Sequence, residues 1–179
     1  MIKKKYKKIT HILHSELGGT ADVVFSILDL NNKKYKETIL LTGPNLNYNY
    51  LAFLKKKRKK IAYIKIMKKY FFLFQYSILK FLFKNKPKII FIHNYQIFAP
   101  IFFSFFCNTS LIYIDHKAPN LRNFRDKISI TLMKIFSKKI VCINFENYQN
   151  NYKNKKFVFI PNPVRNIFFR KNNNVKNKK

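Results

Sequence analysis

Seven short apolar runs, each four to six residues long, recur along the chain at 9–14, 37–42, 61–66, 88–92, 111–115, 139–143 and 157–160. They are rich in β-branched and aromatic side chains, and they are continuous rather than alternating. A strand with one wet face alternates polar and apolar residues, whereas a continuous run is buried on both faces, as in a parallel sheet covered on two sides. Longer stretches with helical character lie between them, at 21–31, 48–57, 68–83, 98–106, 123–136 and 145–150. Strand–helix alternation of this kind predicts βαβ units joined by right-handed crossovers. Pro87 falls between the third helix and the fourth strand, where a proline stops a helix. The expected fold class is therefore α/β, a Rossmann-like open and mainly parallel sheet with helices on both faces. In such sheets ligands bind beyond the carboxyl ends of the strands, so the residues that follow each strand are the ones to inspect.

The composition has two faces: 47% hydrophobic residues and a formal charge of +30 over 179 residues. The apolar fraction excludes a wholly disordered basic tail. Only Arg58, Arg122, Arg125, Arg165 and Arg170 are not Lys among the 37 basic residues. Lys, Asn, Ile, Phe and Tyr, all abundant here, share A/T-rich codons, while the scarce Gly, Arg, Ala and Pro need G/C. One mutational bias thus accounts for much of the charge without a polyanionic partner. A Lys-rich nucleic-acid binder is the alternative, and nucleic acid is disfavoured because Arg is scarce, the charge is dispersed, and no helix-turn-helix, RRM or zinc-finger pattern occurs. A non-catalytic partner-binding domain is a third reading. The basic N-terminus precedes no uninterrupted apolar h-region, and the longest uncharged run, 89–114, is broken by polar residues and Pro100. The expected location is cytoplasmic, with peripheral contact at the inner face of a membrane as an option, because the apolar helix 68–83 lies close to the basic run 55–60. Cys107 and Cys142 read as two buried free thiols.

Chemistry concentrates at three strand ends. After the first comes His14-Ser15-Glu16-Leu17-Gly18-Gly19-Thr20-Ala21-Asp22, opening a helix. Gly18-Gly19 permits a tight turn and a close ligand approach, and the helix N-terminus suits a phosphate. A plain βα turn capped by Thr20 explains the same residues. The pattern is neither G-x-G-x-x-G nor a P-loop. After the fourth strand come His93 and Asn94, and after the fifth Asp115-His116-Lys117. Each histidine alone is ordinarily a hydrogen-bonded structural residue, but two at neighbouring strand tips would face one cleft. No Asp-x-Asp, no helical His pair and too few carboxylates argue against a resident metal. A strand running into Pro161-Asn162-Pro163 ends the ordered part, residues 1–169, and 170–179 reads as a basic, Asn/Lys-rich disordered tail.

The segments HILHSELGGTADVVFSIL, IIFIH, LIYIDH, IFSKKIVCI and FVFIPNPV, in this order and spacing, resemble the N-terminal half of family 4 glycosyltransferases. That resemblance runs over about 9–169 and departs at Pro163, where the family often has Gly. It implies one half of a GT-B architecture and transfer of a sugar from a nucleotide sugar to a glycan or lipid-linked acceptor. It implies metal-independent chemistry, usually with retention, and no cofactor besides the nucleotide-sugar substrate. Carried over, His116 contacts the transferred sugar as the catalytic position. Gly18 and Gly19 meet the donor phosphates or sugar, and Ser15, Glu16, His93 and Asn94 line the acceptor side. The family's second domain supplies paired glutamates eight residues apart. Glu16, Glu37 and Glu146, the only glutamates, are not so spaced. The expectation is a truncated or split product, or half of a two-chain enzyme completed by a separate C-terminal domain chain, lacking the donor-binding domain and inactive alone.

Overall fold

A computed structural model describes residues 7–15, 24, 35–56, 60–65, 70–93 and 96–161. The seven expected strands are all present: β1 Lys7–His14, β2 Tyr35–Gly43, β3 Lys60–Lys65, β4 Ile89–Ile92, β5 Ser110–Asp115, β6 Lys139–Cys142 and β7 Phe157–Phe159. They form one sheet in the order β3-β2-β1-β4-β5-β6-β7, and every neighbouring pair is parallel. The helices are α1 Tyr48–Lys56, α2 Phe71–Asn85, α3 Phe98–Phe106, α4 Phe124–Phe136 and α5 Phe145–Gln149, with a short 3-10 turn at Pro119–Leu121. The expected helix 21–31 lies outside the described residues except for the buried Val24. The expected tail 170–179 also lies outside them.

Consecutive strand residues face opposite sides, and this splits the core in two. Ile12, Leu40, Ile90, Ile92, Leu111, Tyr113 and Ile140 pack with Phe74, Ile78 and Leu82 of α2, Phe103 of α3 and Met133 of α4. On the other side Leu13, Ile39 and Leu41 pack with Val24 and with Leu54 of α1. The register explains the sorting: Ile12 pairs with both Leu40 and Ile92, whereas its neighbour His11 pairs with Ile39 and Phe91. Cys107 and Cys142 are both free, and only Cys142 is fully buried, where burial pushes its thiol up to about 12.

Side chains set the helix ends. Asn123 and Asp126 form a capping box at α4, each side chain bonding the other's backbone N–H at 3.0 Å. Gln75 on α2 accepts the backbone N–H of Ala99 at 3.0 Å and donates to Gln96 at 3.0 Å, so one helix caps the start of the next. Lys156 Nζ donates to the carbonyls of Lys134 and Ile135 at the end of α4, where a cation suits the helix dipole. The third helix starts three residues later than the sequence pattern and runs to Asn85. It ends on Lys86, at φ 47°, whose N–H bonds Leu82 O at 2.8 Å.

Lys86 holds a left-handed conformation that glycine adopts without cost. Lys86→Gly is expected to raise the unfolding free energy by about 1 kcal/mol, while Lys86→Ala leaves it unchanged. Urea titrations of the three proteins check this, and equal midpoints for all three would show that the residue carries no strain.

Candidate functional site

Strand order reverses at β1. The chain runs outward from β1 through β2 to β3, then crosses back to β4 on the other side of β1. The crossovers on either side of this point leave on opposite faces, opening a crevice at the carboxyl ends of β1 and β4. Ser15, the residue that follows β1, is fully buried. Its backbone N–H donates to Thr42 O at 3.0 Å and its carbonyl accepts from Asn47 N at 3.1 Å, while its hydroxyl donates to Asn45 O. These bonds tie the exit of β1 to the exit of β2. Gly43 makes the tie possible: a Cβ built there would lie 1.9 Å from Ser15 Oγ.

His93 follows β4 and His116 follows β5, and the structure brings them together. His93 Nδ1 and His116 Nε2 are 3.4 Å apart. His93 is buried and His116 half-buried. Burial holds His93 well below the ordinary imidazole range, helped by His11 and His116 beside it, and burial pulls His116 down to about 4. Both rings are therefore neutral at neutral pH. Each can accept one hydrogen bond and donate one, and neither offers a positive charge to a phosphate.

The loop that carries His116 is pinned at several points. The Asp115 carboxylate accepts from the Arg122 guanidinium and from Asn147 Nδ2 at 3.2 Å. Asn147 also donates to the Lys117 carbonyl, and Lys117 Nζ meets Asp126 Oδ2 at 2.7 Å. Burial pushes the Asp115 carboxyl up, and Arg122 pulls against that shift. The loop is thus bound to the start of α4 and to α5, so His116 sits on a fixed base. Arg122, Asn147, Gly43, His11 and Glu37 were not singled out by sequence reasoning. A histidine inside an apolar strand run was the available signal for His11. Glu16, Gly18, Gly19 and Asn94 lie outside the described residues. Among the described residues no cluster of three His, Cys, Asp or Glu side chains is placed to hold a metal ion. No helix among them is long and apolar enough to cross a membrane.

The seven-stranded parallel order and the reversal at β1 define a Rossmann-like α/β domain of the GT-B-like fold. Solved structures share this fold. HepE from Anabaena in complex with UDP aligns with a TM-score of 0.70 at 10% identity, over 91% of this chain and 46% of its own. The lipopolysaccharide outer core galactosyltransferase WaaB, in its apo form, aligns at 0.65 and 16% identity, over 88% and 46%. UDP-GlcNAc 2-epimerase from Neisseria meningitidis bound to UDP-GlcNAc aligns at 0.65 and 16% identity, over 96% and 51%. The chain spans about half the length of these neighbours. No protein-family model and no curated protein sequence matches it.

Burial of neutral histidines couples stability to pH with a definite sign. Unfolded histidine takes up a proton near 6.5, but native His116 resists until about 4 and native His93 is also held low. Below about 6.5 the unfolded chain therefore binds more protons than the native one, so stability is full above that pH and falls toward 4. The urea midpoint is expected to drop between pH 7.5 and pH 5, and His93→Gln is expected to flatten that drop. A pH-independent midpoint in the parent protein would contradict the buried neutral state.

Proposed function

We propose that this chain is the acceptor-side half of a family 4-type glycosyltransferase. In this reading it moves a sugar from a nucleotide sugar to a glycan or lipid-linked acceptor without a metal or other cofactor. The observation that carries the reading is the convergence of His93 and His116 at the strand ends beside the β1/β4 reversal. Neutral His116 is suited to contact a sugar hydroxyl, and Gly18 and Gly19, three and four residues after buried Ser15 in sequence, are the proposed contacts to the donor phosphates. The glycosyltransferase-like fold and neighbours solved with UDP or UDP-glucose support the donor class. The second domain, on this chain or a separate one, would supply the nucleotide grip, since the paired glutamates are not among these residues. The 179-residue polypeptide by itself is then expected to turn over no nucleotide sugar.

Two of the neighbours are epimerases, which supports a second reading as half of a sugar-nucleotide epimerase. Saturation-transfer NMR with UDP-glucose and UDP-GlcNAc, followed by product analysis, tests both. Enhancement on the sugar protons is expected in the parent chain and is lost in His116→Ala, whose folded spectrum should persist. Turnover by the chain alone would sink the half-enzyme reading. Epimerised product from the completed enzyme would favour the second reading.

The acceptor side is proposed to work at an anionic membrane surface, on the cytoplasmic face. Phe72 is 86% exposed and Tyr76 61%, and on the adjacent α3 Phe105 and Phe106 are 66% and 67% exposed. Phe71 and Phe98 bring the two helix starts into ring contact at 5.9 Å, and a groove of about 440 Å³ lined by Leu79, Phe98, Phe102 and Phe105 lies between the helices. Phe72, Tyr76, Lys80 and Lys84 follow one another at i, i+4, so the apolar row turns basic along α2. Aromatic rings beside lysines match the boundary between acyl chains and anionic headgroups. Sedimentation with phosphatidylglycerol vesicles is expected, with several-fold loss in Phe72→Ser/Phe105→Ser. Failure to bind both phosphatidylglycerol and phosphatidylcholine vesicles would remove the membrane from the reading.

A further inference from the structure

A row of four titratable side chains crosses one face of the sheet, from β2 through β1 and β4 to the end of β5. Glu37, His11 and His93 are buried, and His11 is wholly inaccessible. His11 Nε2 lies 3.9 Å from Glu37 Oε1. His11 Nδ1 faces His93 Nε2 at 3.4 Å, and His93 Nδ1 faces His116 Nε2 at 3.4 Å. Successive imidazole centroids are 5.7 Å apart, tilted by 31° and 30°. Phe91 stacks on His11 at 4.9 Å and 6°, which holds that ring in plane. The nitrogens meet in pairs along a line and do not converge on a point where a metal could sit.

Each neutral imidazole has one N–H and one lone pair. In a series of such rings, fixing the proton on one fixes it on all, because two lone pairs or two N–H groups cannot face each other. Glu37 breaks the symmetry of the row. Its carboxylate lies too far from His11 Nε2 for a hydrogen bond, and that nitrogen has no hydrogen-bond partner. In a low-dielectric interior an ionised carboxylate at this distance favours an N–H pointing toward it over a lone pair. With the proton on His11 Nε2, His11 Nδ1 must accept from His93 Nε2–H, and His93 Nδ1 must accept from His116 Nε2–H. The lone pair then emerges on His116 Nδ1.

We infer that Glu37, through His11 and His93, is a positioning device that sets the tautomer of His116, so that His116 presents its Nδ1 as a hydrogen-bond acceptor to a ligand hydroxyl. A phosphodiester oxygen of a nucleotide sugar, which has no proton to give at neutral pH, is refused at that nitrogen. Among the partners of a sugar-transfer cleft this assigns His116 to a sugar hydroxyl. The ligand half of the statement rests on the proposed sugar-transfer reading; the tautomer half does not.

Two-bond 15N–1H correlation spectra of the ligand-free chain at neutral pH test the tautomers directly. All three imidazoles are expected to carry the proton on Nε2, with pyridine-type nitrogen shifts at Nδ1. In Glu37→Gln the His116 ring nitrogens are expected to shift toward averaged values, although the substitution is two rings away. His11→Phe, which keeps the stack on Phe91, should produce the same change and serves if Glu37→Gln does not fold. A proton on Nδ1 of His116 in the parent, or His116 shifts unmoved in the folded variant, would overturn the inference. Because no ligand is present, failure of sugar binding and failure of the relay are separate results. If the relay holds, adding glucose should perturb His116 Nδ1 and dimethyl phosphate, a diester with no proton to donate, should not; the reverse would overturn the ligand assignment.

Discussion

The structure depends on β1 being paired on both sides by parallel strands that the chain reaches in opposite directions. β2 is reached by the first crossover and β4 only after β3 has been laid at the far edge. A parallel pair cannot be joined by a tight turn, so each step needs a crossover, and the reversal sends crossovers to both faces. The split core, with α2, α3 and α4 on one side and α1 with Val24 on the other, follows from that. So does the crevice at the β1 and β4 ends. His93, backbone-bonded to Ile12 O at 3.0 Å, extends the β1/β4 pairing to the crevice edge. The candidate site is therefore a consequence of strand order before it is a matter of which side chains line it.

The two faces of the sheet are chemically unequal. The face toward α2 and α3 is apolar across the central strands. The opposite face carries Glu37, His11 and His93 among its buried residues. Buried polar groups without partners are costly, and here most of the cost is met in series: each imidazole serves its neighbour, and neutrality avoids burying positive charge. The same economy recurs in part after β5, where Arg122 and the Asn147 amide N–H donors bind Asp115 and the Lys117 carbonyl around the His116 loop, while Asn147 Oδ1 is left without a partner. Both networks end at His116, one approaching it from the interior and the other fixing its backbone. That coincidence at one half-buried ring is a stronger argument for a functional role than any single distance.

The strands were legible because continuous apolar runs have one economical use in a chain of this size, and all seven expected runs begin and end within two residues of the observed strands. Helix 98–106 was read from apolar density and is observed at those bounds. Helix 68–83 was misplaced at both ends because its limits come from the left-handed Lys86 and an uncapped start at Tyr70, neither of which has a sequence signature. His116 and His93 were visible as strand-end residues. The role of His11 was not, because it arises from cross-strand register: His11 lies beside Phe91, and His93 two residues further along the same face. The resemblance puts Ser15 on the acceptor side, while its hydroxyl is committed to Asn45 O, a contact between segments 30 residues apart that local pattern cannot reveal. Asp115 and Asn147 are coupled across 32 residues in the same way.

Gly43 and Lys86 separate two demands that glycine ordinarily meets together. At Lys86 only backbone conformation asks for glycine, and a lysine occupies the left-handed region there at a cost of about 1–2 kcal/mol. At Gly43 the demand is space, because Ser15 Oγ occupies the position a Cβ would take. A backbone angle can be strained by degrees, but two atoms cannot share a volume, so relief at Gly43 would require the Ser15 hydroxyl to rotate off Asn45 O or the β1 and β2 exits to move apart. In a chain with three glycines, the described one marks steric exclusion rather than turn geometry.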